Sequence, residues 1–487
     1  MKRFLTIILM TALTLGTAMP VHAAEPDDAM HDAAWTEYAE RSIEMDKTPG
    51  LSVAAVCGSE TAFKNWGYAD LNNQTPMTED TPVHIGSCSK AFAALSVLLL
   101  QEEGKLSAED SISGYIPWWH VTYRGQDADI RIWQLLNHCS GLPYVATGCQ
   151  KDADTEKMAL LAKDMELVSE PGARYQYLDF GYCILAYLTQ TVSGMPFEEF
   201  VVQKIMQPIG MMHSGYELPI APGYHYFWGR QTELHDIQPS GNAGAALVVT
   251  TPSDMVLWMK AQLGQLDLPE QLADAIAASH ERNPSHQPKE TPDSDYFNGW
   301  NQSSDEILWH SGLNANYSAR LIIAPKTGIA VFAVSNSTAD SPYYAARSCF
   351  MNLLGIPAEQ FPAIARSDMH KFDLYFTAAS VVTAVLLLAA VIMCITQRKR
   401  LAGKHSTRRR EKTVLILRLT VLLPLLGISA ALPCLLGAAA GYTGFGYAAF
   451  AVWGLQSGLI LCLLLDAVFI CLIAASILRY VRRRKSV

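Results

Sequence analysis

The stretch His84-Ile85-Gly86-Ser87-Cys88-Ser89-Lys90 leads into an almost wholly apolar run over 91–100. A helix that is apolar on every side is a buried one. This one nevertheless opens with Ser87 and Lys90 at i and i+3, positions that share a face. Burial pushes a lysine pKa down, because desolvation penalises the ammonium, and a lysine so lowered can take a serine proton. A serine at a helix N-terminus also offers its own backbone N–H to an oxyanion. By itself S-x-x-K fits an N-capping serine beside an unrelated lysine equally well.

Two later positions add to it. The run Pro171-Gly172-Ala173-Arg174-Tyr175-Gln176-Tyr177-Leu178-Asp179 places a tyrosine in a turn ahead of an apolar helix, and Trp309-His310-Ser311-Gly312 ends a strand with a small-residue edge. A tyrosine beside a cationic lysine can exist partly as phenolate and relay protons. The strand edge after His310 can align a substrate and supply a second oxyanion N–H, for which Leu313 is the candidate. Taken singly, Tyr177 fits a packed turn tyrosine and His310 a satisfied strand histidine. The order S-x-x-K, Tyr, His-x-Gly is what makes them specific.

With those three motifs the chain resembles the serine β-lactamase and penicillin-binding-protein superfamily, above all its class C β-lactamase, D-aminopeptidase and esterase branch. Gly67-Tyr68-Ala69-Asp70, 85–90, Leu135-Leu136-Asn137-His138-Cys139-Ser140-Gly141-Leu142, Pro171-Gly172, 242–247 with Ser253-Asp254, and 325–336 look like that family's recurring segments. The resemblance implies an α/β fold, an antiparallel sheet plus an all-helical lobe. It also implies that Ser87 is the acylated nucleophile, Lys90 and Tyr177 the proton-transfer pair, and His310 with Gly312 the substitute for the third, Lys-Thr-Gly motif. The literal Lys326-Thr327-Gly328 is then a decoy in a hairpin turn away from the cleft. No cofactor is implied.

The second motif of that family is usually Tyr-x-Asn, and here it is Tyr177-Leu178-Asp179. A carboxylate near Lys90 favours the charged ammonium and moves the base's duty towards Tyr177. Alternatively Asp179, an acceptor only when ionised, selects a substrate group that donates. Asn314 and Asn316, in an Asn-x-Asn-Tyr-Ser run after Gly312, and Asn242 add carboxamides suited to a primary amide. That cluster, with three apolar C-terminal stretches, resembles the membrane-bound prodrug-activating peptidases of the colibactin-maturing type, which remove an N-acyl-D-asparagine cap after export. In that resemblance Asp179, Asn242 and Asn314 read the D-Asn side chain. The alternatives are a D-Ala-D-Ala carboxypeptidase or related cell-wall hydrolase, an esterase, a β-lactamase, or a non-catalytic penicillin sensor. A carboxypeptidase substrate ends in a carboxylate and calls for a cation beside the strand, where this sequence has His310.

The charge distribution supports the topology. The chain of 487 residues carries a formal net charge of -9, but residues 397–487 hold 14 Lys+Arg against two acids, Glu411 and Asp466, so that segment is +12 and the remainder -21. An acidic bulk with no clustered basic face argues against nucleic acid. Lys2 and Arg3, an apolar region over 4–18 and Val21-His22-Ala23 read as a secretory signal peptide, 1–23. The stretches 374–396, 413–440 and 450–478 each supply the ~20 apolar residues a span needs. Arginine and lysine crowd 398–412 and 479–485, which places loop and tail in the cytoplasm and the 24–361 domain outside. The reading is thus an exported hydrolase domain, a linker over 362–373, three spans in the cytoplasmic membrane and a basic tail, 479–487. Its partners are a peptide-like or acyl-D-amino-acid substrate and membrane lipid. Six of the ten cysteines fall in the exported part, where disulfides are permitted, and Cys139 and Cys149 are close enough to close a small loop. No C-x-x-C, H-E-x-x-H or clustered histidines occur, which argues against zinc. Of the ionisable residues in the spans, Arg418 can snorkel, and Asp466 lies deeper, where it can pair with Arg418 or bond across helices.

Overall fold

The computed structural model describes residues 32–400 apart from 151, 236–238, 291–294 and 304–305, parts of 412–431, and residues 456–485. The expected signal peptide and most of the expected second span lie outside these residues. Helix α1 (Ala33–Asp46) is capped by Asp32, whose carboxylate accepts the Ala34 N–H, and strands β1 (Gly50–Cys57), β2 (Glu60–Asp70) and β3 (Thr75–Pro76) follow. From the far end of the domain come β6 (Tyr296–Phe297), β7 (Trp300–Gln302), β8 (Leu308–Leu313), β9 (Ser318–Ala324) and β10 (Ile329–Ser335). A separate hairpin, β4 (Tyr224–Phe227) and β5 (Arg230–Glu233), lies between them in sequence.

The sheet order is β6-β7-β8-β9-β10-β1-β2-β3, and every pairing in it is antiparallel. Both chain ends therefore build one sheet around a helical insert, the antiparallel sheet and helical lobe that the resemblance implies. β1, β9 and β10 are buried along nearly their whole length, so both faces of the sheet centre are covered. One face carries Val53, Ala55, Ile322, Val331 and Ala333 under α1 and α5 (Ser341–Leu353). The other carries Ala54, Val56, Leu321, Phe332 and Val334 against the helical lobe. Through that lobe runs α2 (Ser89–Glu102), with every residue from Ser89 to Leu100 buried, so its apolar circumference has the predicted cause.

β8 runs through the expected strand end at Gly312 to Leu313, pairing Gly312 with Ala319 and Leu313 with Ser318. The Pro325–Gly328 turn follows β9 as predicted, and Lys326 there is 70% exposed and paired with Glu306, away from the cleft.

Beyond the domain, residues 362–373 are not a loose tether. Ser367, His370 and Asp373 are buried against it, at the head of α6 (Asp368–Arg400). Among the described residues one stretch, Ser457–Ile477 within α7 (Gln456–Lys485), is long and apolar enough to cross a membrane. That stretch lies in the third expected span. The first expected span falls in α6, which packs on α7, and a three-helix membrane segment is not established.

Candidate active site

Ser87 sits in a single 3₁₀ turn, Gly86–Cys88, that feeds α2, so Lys90 follows one turn later on the same face. Lys90 Nζ lies 3.0 Å from Ser87 Oγ, and although the residue is fully buried its charge is fully served. It donates to Asp179 Oδ1 at 2.6 Å and to the Ala245 carbonyl at 3.0 Å, from α4 (Ala243–Ala246). Asp179 is the first residue of α3 (Asp179–Ser193), and the extended Leu178 before it turns Tyr177 into the cleft. The Tyr177 ring lies 4.8 Å from Lys90 Nζ while the residue stays 39% exposed, so the ring forms cleft wall beside the Ser87–Lys90 pair.

The electrostatics overturn two expectations and support a third, that a carboxylate beside Lys90 favours the ammonium. Desolvation works to lower the Lys90 pKa, but the Asp179 carboxylate and the Tyr177 oxygen outweigh it and hold the lysine above its ordinary range. Lys90 is an ammonium at rest and not a lowered base. Burial raises the Tyr177 pKa despite the neighbouring Lys90 charge, and Asp179 raises it further, so the resting tyrosine is a neutral phenol and not partly phenolate. His310 is pushed down to about 3, first by burial and then by Lys90, and stands as a neutral imidazole. Its Nδ1 bonds the Ser311 carbonyl at 2.7 Å, so Nδ1 carries the proton and Nε2 accepts from the Tyr296 hydroxyl at 3.2 Å.

The strand and the nucleophile turn meet backbone to backbone. A Cβ on Gly312 would stand 1.8 Å from the Ile85 carbonyl oxygen and 3.3 Å from the Ser87 nitrogen. A Cβ on Gly86, which has φ +53°, would stand 2.5 Å from the Leu313 nitrogen. Only glycine permits this approach, which brings the Leu313 backbone against the turn that carries Ser87.

Of the expected substrate contacts, Asp179 reaches the site and is open enough for one, with its side chain 33% exposed. Asn242 and Asn314 do not line the open cleft. Asn242 is buried and accepts from the Cys183 thiol, one turn along α3 from Asp179. Asn314 is buried and donates to the Ala246 carbonyl, while Asn316 donates to the Leu234 carbonyl. The Asn314 and Asn316 carboxamides thus satisfy backbone carbonyls, and that of Asn242 a thiol. Cys139 is a buried thiol with no disulfide partner among the described residues.

Two residues escaped the sequence reading. His138, at φ +54°, accepts the Gln176 N–H on its carbonyl at 2.7 Å and the Leu178 N–H on Nδ1 at 3.2 Å. It thereby holds the peptide units on both sides of Tyr177, and its ring lies 4.3 Å from the tyrosine ring. Glutamine at 138 keeps the backbone carbonyl that holds Gln176 but loses the ring against Tyr177 and moves the acceptor for Leu178, so His138→Gln is expected to lower kcat about tenfold with little change in KM, the signature of a misplaced proton relay. An equal loss in KM alone would argue against it. The other is Arg320, which breaks the apolar run of β9 and was legible there as a charge inside a buried strand. Only 9% exposed, it lies over Trp309 at 4.0 Å and donates to the Oγ of exposed Ser311 at 2.7 Å. No carboxylate pairs with it among the described residues, its Nε has no partner, and burial pulls its pKa down to about 10.

The family model for Beta-lactamase matches residues 35–353. The chain belongs to the beta-lactamase family. It is a serine hydrolase of that family, and the match spans all the elements that meet at Ser87. Protein flp of Staphylococcus aureus strain N315 is 25% identical over 393 residues, covering 78% of this chain and 77% of its own length. The unguisins hydrolase ungD' of Aspergillus campestris is 27% identical over 349 residues, covering 64% of this chain and 63% of itself. Among solved structures, a class C beta-lactamase in complex with cefoxitin superposes with a TM-score of 0.58 at 20% identity, covering 68% of this chain and 99% of its own. That likeness confirms the beta-lactamase fold.

Proposed function

We propose that this chain is a membrane-anchored serine peptidase that works outside the cytoplasmic membrane through an acyl-enzyme on Ser87 and removes an N-acyl-D-asparagine cap from an exported precursor. The observation that carries the chemistry is the Lys90 ammonium, which donates to Ser87 Oγ at 3.0 Å and lies 4.8 Å from the Tyr177 ring. A neutral phenol there shuttles: Tyr177 takes the Ser87 proton as it passes its own to the leaving amine nitrogen, and Ser87 Oγ bonds to the carbonyl carbon. Lys90 stabilises the negative charge that gathers on the tyrosine oxygen, and the Ser87 and Leu313 N–H groups stabilise the oxyanion. Water then releases the acyl group by the reverse relay. Neutral His310 aligns the strand edge. The exposed part of Asp179 accepts from the side-chain amide of the cap, a role that a carboxylate fills and a donor cannot. The α6–α7 pair, with the candidate span in α7, anchors the domain.

A second reading has its own observation. Arg320 supplies, one residue along from His310, the cation whose lack spoke against a substrate ending in a carboxylate. Through Ser311 it suits a D-Ala-D-Ala type of peptide. The test offers the full chain in vesicles an N-acyl-D-asparaginyl amide, its L enantiomer and an acyl-D-Ala-D-Ala peptide. Cleavage of the first alone supports the cap reading, and preferred turnover of the third replaces it with a carboxypeptidase. Arg320→Gln separates the two further: it is expected to cost the carboxylate-ended peptide about tenfold or more in kcat/KM and the asparaginyl amide little, since one charge-assisted hydrogen bond is worth ~1.5–3 kcal/mol. Equal losses on both would make Arg320 a structural residue.

A further inference from the structure

The β4–β5 hairpin joins the cleft to the head of α6. At its base, Leu234 accepts the Asn316 side chain at 2.7 Å, in the loop that directly follows Leu313, and the Tyr317 hydroxyl donates to the Ala221 carbonyl. Its arms pair from Tyr224 with Glu233 to Phe227 with Arg230, a reach of ~13 Å at ~3.3 Å per residue. At its tip, Trp228 and Gly229 both take positive φ, +53° and +70°. Two-residue turns of this kind favour Asn-Gly, and a tryptophan there is strained.

The strain is held by α6. Asp373 accepts the Trp228 N–H at 3.0 Å and the Gly229 N–H at 2.6 Å, and Lys47 donates to the Gly229 carbonyl at 2.7 Å. Behind the tip, Tyr226 stacks on His370 at 4.5 Å and donates to the Asp46 carbonyl, while the buried Asp46 carboxylate accepts the N–H groups of Ser367 and Asp340. The helix head and the domain are thus one packed unit. Yet the Trp228 side chain is thrown outward, 48% exposed, alongside Phe372 at 45% and Tyr375 at 67%. Further along α6, Val381, Val382, Val385, Leu388 and Ile392 are exposed as well, all apolar, on the helix that packs against the candidate span. Tryptophan and tyrosine at the head of such a helix are what the lipid–water boundary selects, since each ring has an apolar body and a polar edge.

We propose that Trp228, with Phe372 and Tyr375, is a lipid-contact surface that seats the catalytic domain on the bilayer in one fixed orientation, with the cleft loop at the other end of the same hairpin. This rests on the reading that α6 and α7 anchor the chain. The occupant is the phospholipid interface. A domain so seated meets its substrate at the membrane surface, which makes an amphiphile, with its apolar tail left in the lipid, the class of precursor it takes.

The test places the photo-crosslinker p-benzoylphenylalanine singly at Trp228, at Tyr375 and at exposed Val168 in the full chain, reconstituted in vesicles of phosphatidylethanolamine and phosphatidylglycerol. Phospholipid adducts at 228 and 375 and none at 168 are expected. An adduct at 375 without one at 228, or a protein dimer formed through 228, overturns the seat and leaves the anchor standing. Loss of adducts at both positions in protein that does not float with the vesicles overturns the anchor and the seat together. The asparagine-cap reading is scored separately, by the substrate panel above.

Discussion

Ser87→Ala is expected to lower turnover by a factor of ~10⁴ or more without unfolding the chain. The hydroxyl is half-buried and accepts from Lys90, so removing one oxygen deletes the nucleophile and leaves the backbone of the 3₁₀ turn intact. The Ser87 and Leu313 N–H groups survive the substitution, and the small residual rate they permit is the rate expected. Intact-mass measurement after quenching should show an acyl adduct on the wild-type chain and none on the variant. The melting temperature should stay within a few degrees, as expected for the loss of a partly exposed group. Turnover kept within tenfold of wild type would remove Ser87 from the mechanism.

The second large effect concerns pH. Asp179 is the chief reason why Lys90 holds its proton against burial, so Asp179→Asn leaves desolvation as the dominant influence and the lysine pKa falls. Because the relay uses the ammonium, activity that is flat through the alkaline range in the wild type should decline in the variant at about tenfold per pH unit above the new lysine pKa. Two units above it the loss is about a hundredfold. At lower pH the lysine is charged in both, and Asn, the usual residue of the family's second motif, keeps the hydrogen bond, so acylation persists there with relaxed side-chain selectivity. A rate that rises near neutrality in the variant would identify neutral Lys90 as the base and retire the phenol shuttle.

The parts of this site that sequence could announce are the short-range ones. Ser87 and Lys90 share a face because helix geometry places i and i+3 together, and Tyr177 with Asp179 announces itself as a turn before an apolar helix. What lies across long sequence separations was less legible. Whether Lys90 is lowered by burial or raised by a carboxylate depends on a 2.6 Å contact between residues 89 positions apart. Asn242 and Asn314 look like ligand-readers in a string of letters, but both are buried, one bonded to the Cys183 thiol and the other to the Ala246 carbonyl. Arg320 shows the reverse. Its place opposite Ser311 is set by the pairing of β8 with β9, which neither strand announces locally. In the fold, alternating and apolar runs gave both halves of the sheet, while the docking of 367–373 on Asp46 has no local signature at all.

The buried thiols carry a practical consequence. Cys88, Cys139 and Cys183 are unbridged, and burial raises each, Cys88 and Cys139 to about 12. Disulfide exchange and alkylation proceed through the thiolate, which these three scarcely form. In the oxidising compartment proposed for the domain, they should therefore survive secretion without an oxidoreductase to pair them or an isomerase to correct them. Purification with or without dithiothreitol should yield the same enzyme.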